Sequence, residues 1–301
     1  MKPTRNFFFS LIALALMNLS AYTQNSSGVD STGLPGDNFS LQGALQMFQK
    51  AGSPEEFEKL INTENNNVNN LDLNGDGETD YIRVIDQSDK DVHVFVLQVP
   101  VSENESQDIA VIELEKTGDA SAMIQIIGDE DIYGEEVIVE PDGGDAVDND
   151  SKGPYLQAAP FTPERLVVNV WFWPSVRYVY GPVYRPWISP FRWRVYPNWW
   201  QPWRPYAWHI WHPRCRVYHR SFAVVHTHRV IRAHTLYKPV RVSSVTVRSR
   251  NAVAMNNYRV TRTRTTVTGP RGNKAVKTTT TVQGRGGKVK AKKTTVRRKR
   301  G

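Results

Sequence analysis

Residues 81–101 read YIRVIDQSDKDVHVFVLQVPV, two β-branched runs divided by the polar break DQSDKD. Such runs around a short polar break are a hairpin signal. Similar runs at 109–115, 122–127 and 137–139 follow, separated by SENESQD, KTGDAS and GDEDIYGEE. The spacing predicts an antiparallel β-meander of about five strands. Upstream, Leu41, Ala44, Leu45 and Phe48 recur at helical spacing. Ser53-Pro54-Glu55-Glu56 then starts a second helix, with Ser as N-cap, Pro at the first turn and acids behind it. That helix runs through Phe57, Leu60 and Ile61 and fades in the Asn-rich stretch after Asn65. The expected class is α+β, two helices packed on one face of the meander.

Outward from this unit the composition divides sharply. Of 30 acidic residues 29 lie at or before Asp150, and of 38 Lys and Arg residues 31 lie at or after Lys152. Such asymmetry points to a polyanion-seeking half joined to one that repels polyanions. At the start, Lys2 and Arg5 precede the apolar run FFFSLIALAL at 7–16 and then a polar stretch. That order predicts a secretory signal over 1–23, too short for a membrane span. The organisation expected beyond it is a linker at 24–39, an acidic α+β domain at 40–141 and an Asp/Gly linker at 142–160. A basic Trp/Pro/His-rich region at 161–250 and a Thr/Gly-rich tail at 251–301 complete the chain. Dense prolines between Pro174 and Pro213 argue for extended backbone, and alternation at 216–247 reads as strand. In the tail, Thr-Thr-Val recurs at 265, 280 and 294 with glycine turns between, a strand–turn–strand pattern. With few large apolar side chains to offset chain entropy, however, the expectation for this tail in isolation is disorder.

The sharpest motif is Asp72-Leu-Asn74-Gly-Asp76-Gly77-Glu78-Thr-Asp80. Hard Ca²⁺ takes oxygen ligands, and D-x-N-x-D-G-x-x-D sets side-chain oxygens at Asp72, Asn74, Asp76 and Asp80. The carbonyl of Glu78 completes the set, and Gly77 permits the turn. Arg83 stands where an EF-hand carries its bidentate Glu, which predicts a weak, structural calcium site. The loop resembles those of dockerin-type and FG-GAP-type extracellular modules. The wider arrangement, Val68-Asn-Asn-Leu-Asp-Leu-Asn-Gly-Asp-Gly, Leu97-Gln-Val-Pro, Ile127-Gly-Asp and the aromatic–proline stretch after Phe161, resembles a group of uncharacterised exported proteins from Bacteroidetes-type bacteria. That resemblance implies export but no particular activity.

Six of seven histidines fall between His209 and His234. On a strand His226 and His228 share a face and can chelate Zn²⁺, Ni²⁺ or Cu²⁺ with His219 or His234. Arg220, Arg229 and Arg232 oppose such a site, and solvated or anion-binding histidine is the favoured reading. All nine tryptophans lie between Trp171 and Trp211, interleaved with arginine and proline. Arg192, Arg194 and Arg204 with Trp193, Trp199, Trp200 and Trp203 suit a polyanion, pairing with its charges and stacking on its rings. Packing of these tryptophans against the first domain is the other reading. Lys292, Lys293, Arg297, Arg298 and Arg300 extend the charge into the tail. The partners expected are anionic polysaccharide, lipopolysaccharide or a membrane surface, with extracellular DNA as a further polyanion. Self-assembly into a homo-oligomer through opposite halves is a second possibility, and transition-metal handling a third.

No G-x-S-x-G, H-E-x-x-H or phosphate-binding glycine loop is present. Cys215, the only cysteine, lies between Arg214 and Arg216, which favour a lowered thiol pKa. A non-catalytic envelope protein, periplasmic, outer-membrane-associated or extracellular, is the expectation.

Overall fold

Helices α1 (Leu41–Lys50) and α2 (Pro54–Ile61) open the fold in a computed structural model. It describes residues 31–143, 166–268, 274–283 and 289–299. The expected signal segment and nearly all of the 142–160 linker lie outside these residues, as does Arg300. Ser31–Gly301 is one compact unit. Ser40 caps α1 by accepting from Gly43 N, and Ser53 caps α2 by accepting from Glu56 N. Each cap satisfies one of the N–H groups that a helix start leaves unpaired. Leu34 and Phe39, in the stretch read as linker, are buried.

The meander follows as β1 (Arg83–Asp89), β2 (Val92–Pro100), β3 (Ser106–Gly118), β4 (Ser121–Gly128) and β5 (Val137–Pro141), all antiparallel. A one-turn helix, α3 (Glu130–Tyr133), joins the last two. In β2 the two-residue period sorts Phe95, Leu97 and Val99 onto one face and Val92, Val94 and Val96 onto the other. A register shift beside Leu97 places Ile109 as an extra residue opposite β2. Ile109 and Ala110 therefore both belong to the first core.

Sequence alternation left the second face of the meander without a cover, and the basic half supplies one. All nine residues of β2 are buried, because both faces are packed. On the first face lie α1, α2 and α4 (Pro174–Val179). On the second lies α6 (Ile231–Tyr237), whose Ala233 and Tyr237 join Val230 against Val92, Val94, Val96, Val111, Ile127 and Ile138. A sixth strand, β6 (Phe222–Val225), pairs with β5 and closes the order β1 to β6.

The region expected to be extended or stranded therefore differs in detail. It holds α4, α5 (Trp208–Cys215), α6 and α7 (Val245–Asn257), with β6 the one named strand there among the described residues. Pro174 begins α4, where a missing N–H costs nothing. Ser244 caps α7 by accepting from Val247 N. In α6 the apolar positions Val230, Ala233 and Tyr237 follow a helical period, and this overrode the local alternation. Of the two readings of the tail, the described residues take the stranded one. β7 (Arg259–Thr268), β8 (Lys274–Gln283) and β9 (Val289–Lys299) form a separate antiparallel sheet. Their runs of Thr and Val suit a pleated surface.

Candidate functional site

Three clusters carry the sequence-predicted residues. The first is the loop of residues 72–80. Asp72 accepts from Gly75 N at 2.5 Å and Gly77 N at 3.0 Å, Asn74 from Asp76 N at 2.8 Å and Asp76 from Glu78 N at 2.9 Å. Gly75 and Gly77 have φ of 72° and 87°, the left-handed region where a side chain is strained. Asp80 lies buried beneath, accepting from Leu73 N at 2.5 Å and from Asn74 Nδ2 at 3.1 Å. Burial, with Asp72 and Asp76 beside it, raises the Asp80 carboxyl to about 7. The four predicted side chains are thus tied into one hydrogen-bonded loop, Asn74 Nδ2 linking Asp76 and Asp80, while the Glu78 side chain is exposed.

The second cluster is the aromatic–arginine segment, which backs directly onto that loop. Thr79 N donates to Trp203 O at 2.8 Å. The Tyr81 ring sits among Phe191, Tyr196, Trp199 and Trp200 at centroid distances of 5.5, 5.9, 6.3 and 5.1 Å. Beneath it Glu58 is a buried carboxylate saturated with donors: Tyr81 Oη at 2.8 Å, Val84 N at 2.9 Å, Ser189 Oγ at 2.8 Å and Trp187 Nε1 at 3.1 Å. Trp200, only 4% exposed, belongs to the packing and is withdrawn from any surface. Trp199 is 45% exposed, Trp193 and Trp203 are half-buried, and Arg192, Arg194 and Arg204 are exposed. Arg194 lies over the Trp193 ring at 5.4 Å. Lys292 and Lys293 are exposed on β9, which also carries Arg297 and Arg298.

The third cluster lies on the second face of the sheet, where strands β3, β4 and β5 present Glu113, Glu115, Gln125 and Glu140, all buried. Segment 227–242 satisfies most of these. Arg229 N donates to Gln125 Oε1 at 2.8 Å, and its Nε lies 3.1 Å from Glu140 Oε2. Ala233 N donates to Glu115 Oε1 at 2.9 Å. Arg241 pairs with Asp129 and with Asp131 at 2.9 Å. Asp108 accepts from Val242 N at 2.8 Å and Tyr237 Oη at 3.0 Å.

Glu113, by contrast, is met by an imidazole. Its Oε1 lies 2.9 Å from His234 Nδ1, and the His228 and His234 ring centroids are 4.4 Å apart. Burial, then Glu115 and Glu136, raise Glu113 to about 9. Burial, then His228, lower His234. One ligand atom from each of Glu113, His228 and His234 falls within 4.8 Å of the others.

The structure thus brings together two of the four predicted histidines. His226 is exposed on the other side of the chain turn. His219 neighbours His212 instead, at 6.4 Å between ring centroids. Glu113 was missed because nothing local marks it; it reads as one polar position in an alternating strand. Cys215 also departs from its expectation. Its thiol is buried and pushed up to about 11, since desolvation outweighs Arg216, so it is no activated nucleophile. Among the described residues no helix is long and apolar enough to cross a membrane.

No protein-family model matches the chain, and no curated protein or solved structure is found similar to it. What the fold and clusters define is an α+β sheet protein with an aromatic–arginine segment backed on an acidic loop and, among the described residues, one His/Glu group close enough to hold a metal ion.

Proposed function

We propose that this chain is a non-catalytic exported envelope protein that binds anionic surface polysaccharide through its aromatic–arginine face, with calcium in the 72–80 loop as a structural clamp. The observation that carries this reading is the seating of the face on the loop, through Thr79 N to Trp203 O at 2.8 Å and the Tyr81 cluster. A rigid arrangement of exposed arginines and flat rings pairs with carboxylate or phosphate groups while stacking on sugar rings. Rigidity matters because little side-chain freedom is then lost on binding.

Calcium suits the loop chemically. Asp72, Asp76 and Asp80 repel one another, and a divalent cation among hard oxygens relieves that repulsion. Asn74 Nδ2, donating to Asp76 at 2.8 Å and Asp80 at 3.1 Å, brings an N–H dipole to the same carboxylates.

Affinity of the full chain for an acidic polysaccharide at physiological salt tests the reading. Replacing Arg192, Arg194 and Trp199 together with Ala is expected to weaken binding at least tenfold, and an unchanged affinity would refute the face as the binding surface. Lipopolysaccharide and DNA belong in the same assay. Equal binding to all three reduces the interaction to charge alone.

A further inference from the structure

The chain's two halves meet at a point where neither supplies the missing hydrogen-bond partners. Among the described residues, Glu113 Oε2 and His228 Nδ1 are buried side-chain atoms with no partner at all. A buried carboxylate oxygen and a buried ring nitrogen left unpaired are each costly, and native structures rarely keep them without a reason. Both residues belong to the same small group, with His234 as its third member.

From this geometry we infer a transition-metal site of the two-histidine, one-carboxylate type, built by Glu113 of β3 with His228 and His234 of the segment laid across it. Two imidazoles and a carboxylate form a ligand set for Zn²⁺ and its borderline neighbours, not for Ca²⁺. Glu136 Oε2 lies 3.3 Å from His228 Nε2, the far nitrogen of the ring, where a carboxylate orients a ligating histidine from behind. Bonds of about 2.0–2.1 Å hold tetrahedral ligand atoms roughly 3.3 Å apart. Donors already within 4.8 Å therefore need only small side-chain rotations to close on an ion.

Two further features suit the site to a cation. Neighbouring arginines, which on sequence alone oppose a metal, are engaged elsewhere: Arg229 with Glu140 at 3.1 Å and Arg232 towards Glu115 at 4.0 Å. His234 and Glu136 also line a cavity of about 270 Å³, which gives an ion a route in from solvent. Because its ligands come from both halves, a bound ion fastens segment 228–234 to the sheet.

Titration calorimetry of the full chain with Zn²⁺, at saturating Ca²⁺, provides the test. We expect one saturable Zn²⁺ per chain, weakened at least tenfold by His228→Ala, His234→Ala or Glu113→Gln, and unchanged by His219→Ala or His226→Ala. Glu113→Gln keeps the side-chain volume, and circular dichroism establishes that each variant is folded. Independently of any variant, Co²⁺ bound to the wild type should give the intense visible absorption of four-coordinate nitrogen and oxygen ligation. Absence of a saturable site, a weak octahedral Co²⁺ spectrum, or equal sensitivity to His226→Ala and His228→Ala would each overturn the assignment. The last would mean that loose histidines bind the metal without the sheet.

Discussion

The loop of residues 72–80 and the group formed by Glu113, His228 and His234 both bring polar side chains together, yet they are built in opposite ways. In the loop, nine consecutive residues supply the side chains, the backbone N–H groups that aim them and the two glycines that let the chain turn. Glu113 and His234 instead lie 121 residues apart and meet because a basic segment is laid across a sheet with buried acids. A local cluster keeps its geometry as long as its own turn persists. A cluster spanning the chain depends on every contact that seats one half on the other.

That difference can be broken from the second side first. Arg241 pairs with Asp129, Glu130 and Asp131 and so pins the chain just beyond α6. Arg241→Ala leaves the buried Asp129 carboxylate without its cation and is expected to cost about 3–5 kcal/mol in denaturant unfolding. Zn²⁺ binding should weaken in this variant, while any calcium-dependent shift in melting persists. Loss of both effects together would show that the two clusters are not independent.

Asp108 allows the same seating to be tuned by pH. Its neighbours are Gln98, Tyr237 and Val242 N, with the charges of Asp129 and Arg83 nearby. Desolvation raises its carboxyl from 3.8 to about 6 against the opposing hydrogen bonds. The folded chain therefore holds this proton longer than the unfolded one. Its contribution to stability is complete below about pH 4 and is lost as the pH rises through about 6. Over that window the wild type should lose up to about 3 kcal/mol relative to Asp108→Asn, read from urea midpoints at each pH.

A smaller effect is expected in the loop. Asp80→Asn keeps an acceptor for Leu73 N–H but removes a buried charge facing Asp72 and Asp76. Without calcium the variant should match or exceed the wild type by about 1 kcal/mol. With calcium the wild type should overtake it, as thermal melts in chelator and in excess Ca²⁺ will show. The smallest change is expected at His226, exposed and outside the cluster. There Ala should alter stability by less than about 0.5 kcal/mol.

The same contrast explains what the sequence disclosed. The Ser53 cap, the β-branched runs of the meander and the Asp72–Asp80 spacing are local, and each was legible. Alternation assigns Glu113 to a face but cannot say what covers that face. His226 and His228, two residues apart, suggested a shared strand face. The chain instead leaves β6 after Val225, and only His228 turns inward. Proline density concealed α4, since Pro174 sits where a helix start tolerates it. Trp200 and Trp199 are adjacent and indistinguishable by composition, yet one is core and the other surface.

Coupling between the loop and the aromatic–arginine face is tested most directly by measuring polysaccharide affinity in excess Ca²⁺ and again in chelator, for the wild type and Asp76→Ala. The wild type is expected to bind at least severalfold more tightly with calcium, and Asp76→Ala to bind weakly in both conditions. Wild-type binding indifferent to calcium, with Asp76→Ala equally strong, would contradict a clamp beneath the face.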